Sequence, residues 1–279
     1  MNPTAMSART TSYFPWNLRA LIAALALCGF ANAHDCWIEP SSFRPAPKEP
    51  LKIHVWVGVD WQGEEQLRNS ERIAKLVQVG AKGERPIVGL ERRAPVGLMA
   101  AGDAEPVVIA YQTNSAYIEL MPEKFESYLR EEGLERIIGE RAKLGESAKP
   151  ATEAFKRCAK SLLCVGGSSG EHFTKPVGLQ LELVPLSDPH AARAEDKLSV
   201  QLLFEGKPLR DVLLMALPKK EPQRIQKLRS DADGKVEFAG IGAGVWLVKA
   251  VHMERARNPG SQWQSYWAAL TFEVPPAAR

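Results

Sequence analysis

Leu51-Lys52-Ile53-His54-Val55-Trp56-Val57 places Leu51, Ile53, Val55 and Val57 at every second position. A period of two is the mark of a half-buried strand, whose side chains alternate between core and surface. Working outward, Ala74 to Val79 and Val107 to Tyr111 are further apolar runs between turns such as Gly80-Ala-Lys-Gly83, and Tyr117-Ile-Glu-Leu120 closes this part. The pattern returns in Leu179–Val184, Leu198–Phe204, Val212–Ala216, Val236–Phe238, Val245–Val251 and Tyr266–Val274. Asp231-Ala-Asp-Gly-Lys235 begins like a calcium loop but lacks the later ligands, so it reads as a turn. Short strands at this spacing predict a mainly β protein built as two β-sandwich domains.

Residues 122–164 differ in character. Pro122 suits a first helical turn. Phe125, Tyr128 and Leu129 fall at helical spacing, as do Leu134, Ile137 and Ile138 after Gly133. Pro150 marks another start, with Phe155, Cys158, Ala159 and Leu162 on one helical face. The expectation is a helical segment over 122–164 inserted between an N-terminal β domain (34–121) and a C-terminal one (175–275). The glycine-rich joint Gly166–Gly170 would mark the boundary near 165–175.

The first 33 residues have the layout of a secretory signal. Arg9 and Arg19 precede the apolar run Ala20–Phe30, and Ala31-Asn32-Ala33 offers small residues to a signal peptidase. Cys28 follows the bulky Leu27, which argues against lipidation. Cleavage would leave a periplasmic chain of 246 residues beginning at His34, with 34 basic residues against 33 acidic ones once Arg9 and Arg19 are removed. So even a balance gives no reason to expect nucleic acid as a partner. No later stretch is apolar enough for a transmembrane helix, and no membrane insertion of the mature chain is expected.

Three cysteines remain after cleavage: Cys36, Cys158 and Cys164. An exported chain can keep disulfides, but an odd count leaves one over. In a continuous helix Cys158 and Cys164 would stand about 9 Å apart, too far to bridge. Pairing them needs the helix to end between them; Cys36 paired with either, or three free buried thiols, are the other readings.

The segments His34-Asp35-Cys36-Trp37-Ile38-Glu39-Pro40, Pro122–Leu134, Leu181–Leu186, Gly244–Met253 and Trp267–Phe272 resemble an uncharacterised family of periplasmic proteins. That family is catalogued beside the periplasmic component of nickel/cobalt uptake systems, and the likeness covers nearly the whole mature chain. Cys36 stands where the family's opening is expected to carry a large aromatic residue such as Phe. Gly206–Leu209, Ser230–Lys235 and Gly244–Trp246 are also similar to prealbumin-like and carboxypeptidase-regulatory-like domains, which implies a small antiparallel, Ig-like or prealbumin-like sandwich.

An N-terminal histidine joins an α-amine of low pKa, about 7.7–8.0, to an imidazole, and the two can chelate one ion. A further imidazole would complete a three-nitrogen site suited to nickel or copper in tetragonal geometry. His34 and His252 are the candidate metal ligands, with Met253 beside the latter. His54, His172 and His190 read as structural. Neither H-E-x-x-H nor a phosphate-binding loop occurs in the sequence. Together with the resemblance, this predicts a non-enzymatic periplasmic protein that binds a divalent transition metal (nickel, cobalt or copper) in uptake or handling, with a membrane metal-uptake transporter as a partner. The alternatives are a copper-dependent oxidative enzyme using the same two histidines, and a metal-free binding or adhesion module.

Overall fold

The computed structural model describes residues 34–191, 196–257 and 259–276. Residues 1–33, expected from the sequence to be a secretory signal, lie outside them. In chain order the elements are β1 Asp35–Pro40, β2 Pro50–Val59, β3 Gln62–Glu65, β4 Ile73–Gly80, β5 Gly83–Pro86, β6 Gly97–Ala100, β7 Pro106–Thr113 and β8 Ala116–Leu120. The helices α1 Pro122–Glu131 and α2 Glu135–Lys143 follow. Then come β9 Ala151–Cys164, β10 Leu181–Pro185, β11 Leu198–Phe204, β12 Lys207–Pro208, β13 Leu213–Pro218, β14 Gln226–Arg229, β15 Lys235–Phe238, β16 Gly244–Arg255 and β17 Trp263–Val274, joined in places by single 3₁₀ turns.

Nine strands make one central sheet in the order β14-β13-β16-β17-β9-β7-β4-β5, with β8 on the far end of β9. A four-stranded sheet covers each face: β1, β2, β3 and β6 on one, β10, β11, β12 and β15 on the other. Strand parity explains the layering. Val108, Ala110, Leu162, Val248 and Leu270 point into the core under β10 and β11. Their neighbours Val107, Ile109, Leu163, Leu247 and Ala269 point into the core under β1 and β2. Two sandwiches therefore exist, but they share their middle sheet. Strands on both sides of residues 165–175 pair within it, and residues 33–279 form one compact unit, so no domain boundary falls there.

The helices close the remaining part of the face that β1 and β2 cover. Phe125, Tyr128 and Leu129 of α1 and Ile137 of α2 pack on Leu120, Val251, Met253, Trp263 and Trp267. Tyr128 stacks on Trp267 with ring centroids 5.5 Å apart. Trp37, Trp246, Trp263 and Trp267 are buried, while Trp56 and Trp61 are half-buried.

One expectation fails outright. Residues 151–164 are not helical; they form the longest strand, β9, antiparallel to β7 and parallel to β17. Ala, Glu, Lys, Arg and Leu give this stretch helical propensity, and its tertiary context overrides that weak preference. Its fully buried charged residues, Glu153 and Lys160, have partners of their own. Lys160, on the β10 side, is 1% exposed and donates to Glu182 Oε1 at 2.8 Å. Glu182 also accepts the backbone N–H groups of Val177, Gly178 and Leu179. On the opposite face Thr271 Oγ1 of β17 donates to the Ile38 carbonyl at 2.7 Å, tying β1 down. All three cysteines are free and buried; six residues of extended strand put Cys158 and Cys164 about 20 Å apart, beyond any bridge.

Breaking a buried pair strands the surviving partner and costs about 3–5 kcal/mol. Lys160→Met leaves Glu182 with its three backbone donors, whereas Glu182→Leu strands both an ammonium and those donors. Both variants should lower the urea midpoint, and Glu182→Leu by more; the reverse order would show that the lysine, not the carboxylate, organises this contact.

Candidate functional site

His34 is half-buried and immediately precedes β1. The next residue, Asp35, is buried and pairs with Gly58 of β2. Its carboxylate accepts from Lys249 Nζ of β16 at 2.7 Å, and the same ammonium lies 3.7 Å from Glu132 at the end of α1. The hairpin turn between β2 and β3 adds a third acid, Asp60.

That turn is unusual. Asp60 and Trp61 both have positive φ, 51° and 66°, in a two-residue connection where Asn and Gly are the usual occupants. Trp61 compensates through its contacts. Its ring meets Trp37 edge-on at 5.7 Å, its indole N–H donates to the Leu217 carbonyl at 3.4 Å, and the Lys219 ammonium sits 5.5 Å from the ring centroid. Beneath the turn the backbones of β2 and β3 approach too closely for side chains. A Cβ on Gly58 would stand 1.9 Å from the Gln62 carbonyl oxygen, and one on Gly63 2.4 Å from that of Val57.

Asp35, Asp60 and Glu132 thus share one lysine. Burial pushes Asp35 upward against the opposing pull of Lys249. Burial also works to lower Lys249, but Asp35 and Glu132 outweigh it and hold it above the ordinary lysine value. Burial raises Glu132 to about 7. The result is a cluster of three acids around one lysine next to His34, whose charge acts on Asp35.

His252 lies elsewhere. Three residues beyond Lys249 on β16, it faces the opposite side of the central sheet. There its ring packs on Phe204 of β11 at 4.7 Å and stacks with Tyr266 at 6.3 Å. Burial, with help from Arg136, lowers its pKa to about 4. β1 and β11 are on different faces, so at least one sheet layer, about 10 Å, separates the surroundings of His34 from those of His252. The structure does not bring the two together as ligands of one ion. Met253 is fully buried against the helices. Among the described residues no three His, Cys, Asp or Glu side chains converge to hold a metal.

The other histidines have structural partners. His54 Nδ1 is 2.5 Å from Glu65 Oε1, His172 Nε2 meets the Val79 carbonyl at 3.2 Å, and His190 stacks on Phe173 beside Asp188. Asp231 Oδ1 accepts the backbone N–H groups of Asp233 and Lys235, as a turn requires. Gly234 is needed there, with φ of 73° and a would-be Cβ 2.6 Å from the Leu202 carbonyl oxygen.

Sequence reasoning passed over a second buried acid. Glu153 of β9 is fully buried; its Oε1 accepts from Tyr128 Oη at 3.2 Å and from Ser265 Oγ, and burial raises its pKa to about 7. A glutamate in the first turn of an expected helix, where acids are ordinary and exposed, gave no sign of this.

The chain belongs to the family described as a domain of unknown function, DUF4198, which matches residues 31–254. No curated protein matches it. Among solved structures, the D0-D1 domain of Intimin aligns over 86% of this chain and 98% of that one, at 12% identity and a TM-score of 0.20.

The raised acids give the fold a pH dependence. Between the ordinary glutamate value of 4.5 and about 7, the folded state holds a proton on Glu153 that the unfolded chain has released. Stability should therefore fall as pH rises through that window and level off above it. Glu153→Gln should shrink the fall by roughly 3 kcal/mol, read from urea unfolding at pH 5 and pH 7.5. An unchanged pH profile would place the proton elsewhere.

Proposed function

Within this family of unknown function, we propose that the protein is an exported, periplasmic binder of a divalent transition metal, with His34 as the ligand-bearing residue once residues 1–33 are removed. The amine and imidazole of His34 would chelate nickel, cobalt or copper, and delivery to a membrane uptake partner needs no catalytic step. One observation carries this reading: His34 sits directly ahead of the Asp35–Lys249 pair that pins β1 to the central sheet. A chelating residue there is held by a fixed strand, beside the carboxylates of Asp60 and Glu132, rather than on a loose tail. Pre-organisation of this kind lowers the entropic cost of binding. His252 is left out because it faces the other side of the sheet, and a copper oxidase built on both rings loses its second imidazole for the same reason.

The processed protein beginning at His34 should bind one Ni(II) or Cu(II) in calorimetric titration, more tightly as pH rises from 6 to 8 and the amine loses its proton. His34→Ala, or one glycine added ahead of His34, should weaken binding at least tenfold, while His252→Ala leaves it unchanged. Equal binding by all four proteins would sink the proposal.

A further inference from the structure

On the face that carries β1 and β2, a cleft of about 770 Å³ opens where the edge of that small sheet leaves the central one. Its floor is a gap in the strand ladder. β7 pairs with β9 only from Cys158 onward, β8 only up to Phe155, and Asn114-Ser115 bridge between them. Arg157 occupies the gap, and its backbone N–H turns to Thr113 Oγ1 at 3.0 Å.

Four arginines line the cleft against two glutamates, Glu64 and Glu65, of which Glu65 is held by His54. Arg68 is structural: it donates to the Val96 carbonyl at 2.9 Å and pairs with Glu91 at 3.3 Å. Arg72, Arg92 and Arg157 are different. Among the described residues their guanidinium groups make no ion pair and no hydrogen bond. For the exposed Arg72 and Arg92 solvent is an adequate partner. Arg157 is half-buried, and its Nε is shielded from solvent with no acceptor, a costly state for a charged donor. Its guanidinium lies 5.1 Å from the Phe155 ring centroid, which fixes the plane of the fork. Tyr111 forms part of the inner wall, and Tyr117, 67% exposed, stands at the rim.

Guanidinium forks match the two oxygens of a carboxylate or phosphate, and a volume in this range suits a small organic molecule. We propose that this cleft binds a small organic oxyanion, a polycarboxylate or a phosphate ester, with Arg157 as the inner anchor, Arg72 and Arg92 as outer contacts, and Phe155, Tyr111 and Tyr117 against the ligand's carbon skeleton. His34 is not among the residues lining the cleft, and the proposal does not depend on the metal reading.

The test is calorimetry on the full processed chain with four probes: citrate, glucose 6-phosphate, inorganic phosphate and glucose. Citrate or glucose 6-phosphate should bind one to one, and whichever binds identifies the acid class; glucose should not bind, and inorganic phosphate should be at least tenfold weaker. Arg157→Met should weaken the bound probe at least tenfold, and Arg157→Lys should restore part of the loss. Arg210→Ala, which removes an equal charge from an exposed position outside the cleft, should leave affinity unchanged, as should His34→Ala. Thermal unfolding should be little altered in Arg157→Met, because no ion pair is lost. Absence of binding by citrate and glucose 6-phosphate, equal affinity for inorganic phosphate, or equal loss in Arg157→Met and Arg210→Ala would each overturn the proposal.

Discussion

β9 is paired along both edges and buried at every position except Thr152, Phe155, Lys156 and Arg157, and the rest of the fold is arranged around that constraint. Where such a strand is covered on both faces, a charged side chain on it needs a partner. Lys160 finds Glu182 in one flanking sheet, and Glu153 finds Ser265 and Tyr128 beneath the helices. β16, on the far side of β17, repeats the device on the other face, where Lys249 meets Asp35. Each flanking sheet is thereby joined to the centre by one buried ion pair. Such pairs add little net stability, because the cost of removing the charges from water offsets most of their attraction. They do select registry: a flanking sheet shifted by one residue would leave its lysine buried without a carboxylate.

Much of this was legible in the sequence. Alternation in Leu51–Val57 and the apolar run Val245–Val251 located strands, and Pro122 with Phe125, Tyr128 and Leu129 located α1. What failed was the stretch whose alternation is disguised. In β9 the positions 153 and 160 carry Glu and Lys, so the apolar residues between them mimic a helical face. Nothing local distinguishes a lysine that will meet a buried glutamate 22 residues later from one that will meet water. The division into two domains failed for a related reason. A sheet shared between two cores looks, along the chain, like two sheets.

The histidines show the same limit. Periodicity assigns His252 a face of β16, but not the layer that will cover that face. Only the pairing of β1 with β2, and of β10 with β11, shows that His34 and His252 are served by different layers. The Arg157 cleft was harder still to foresee, since it depends on where β7 stops and β8 starts along one strand. Its arginines come from segments as far apart as residues 68 and 157.

The place of β17 has a consequence for how the molecule comes into being. It is the last strand among the described residues, yet it lies in the interior of the central sheet, between β16 and β9, and its pairing with β9 is parallel. Until Trp263–Val274 is available, β9 and β16 each present an open hydrogen-bonding edge, and the halves of the sheet have nothing between them. A nascent chain, or one threaded N-terminus first through a pore, therefore cannot complete its core early. Contacts spanning this much sequence form slowly, and here they wait on Trp263–Val274. That makes β17 the keystone of assembly rather than an ornament on a finished fold.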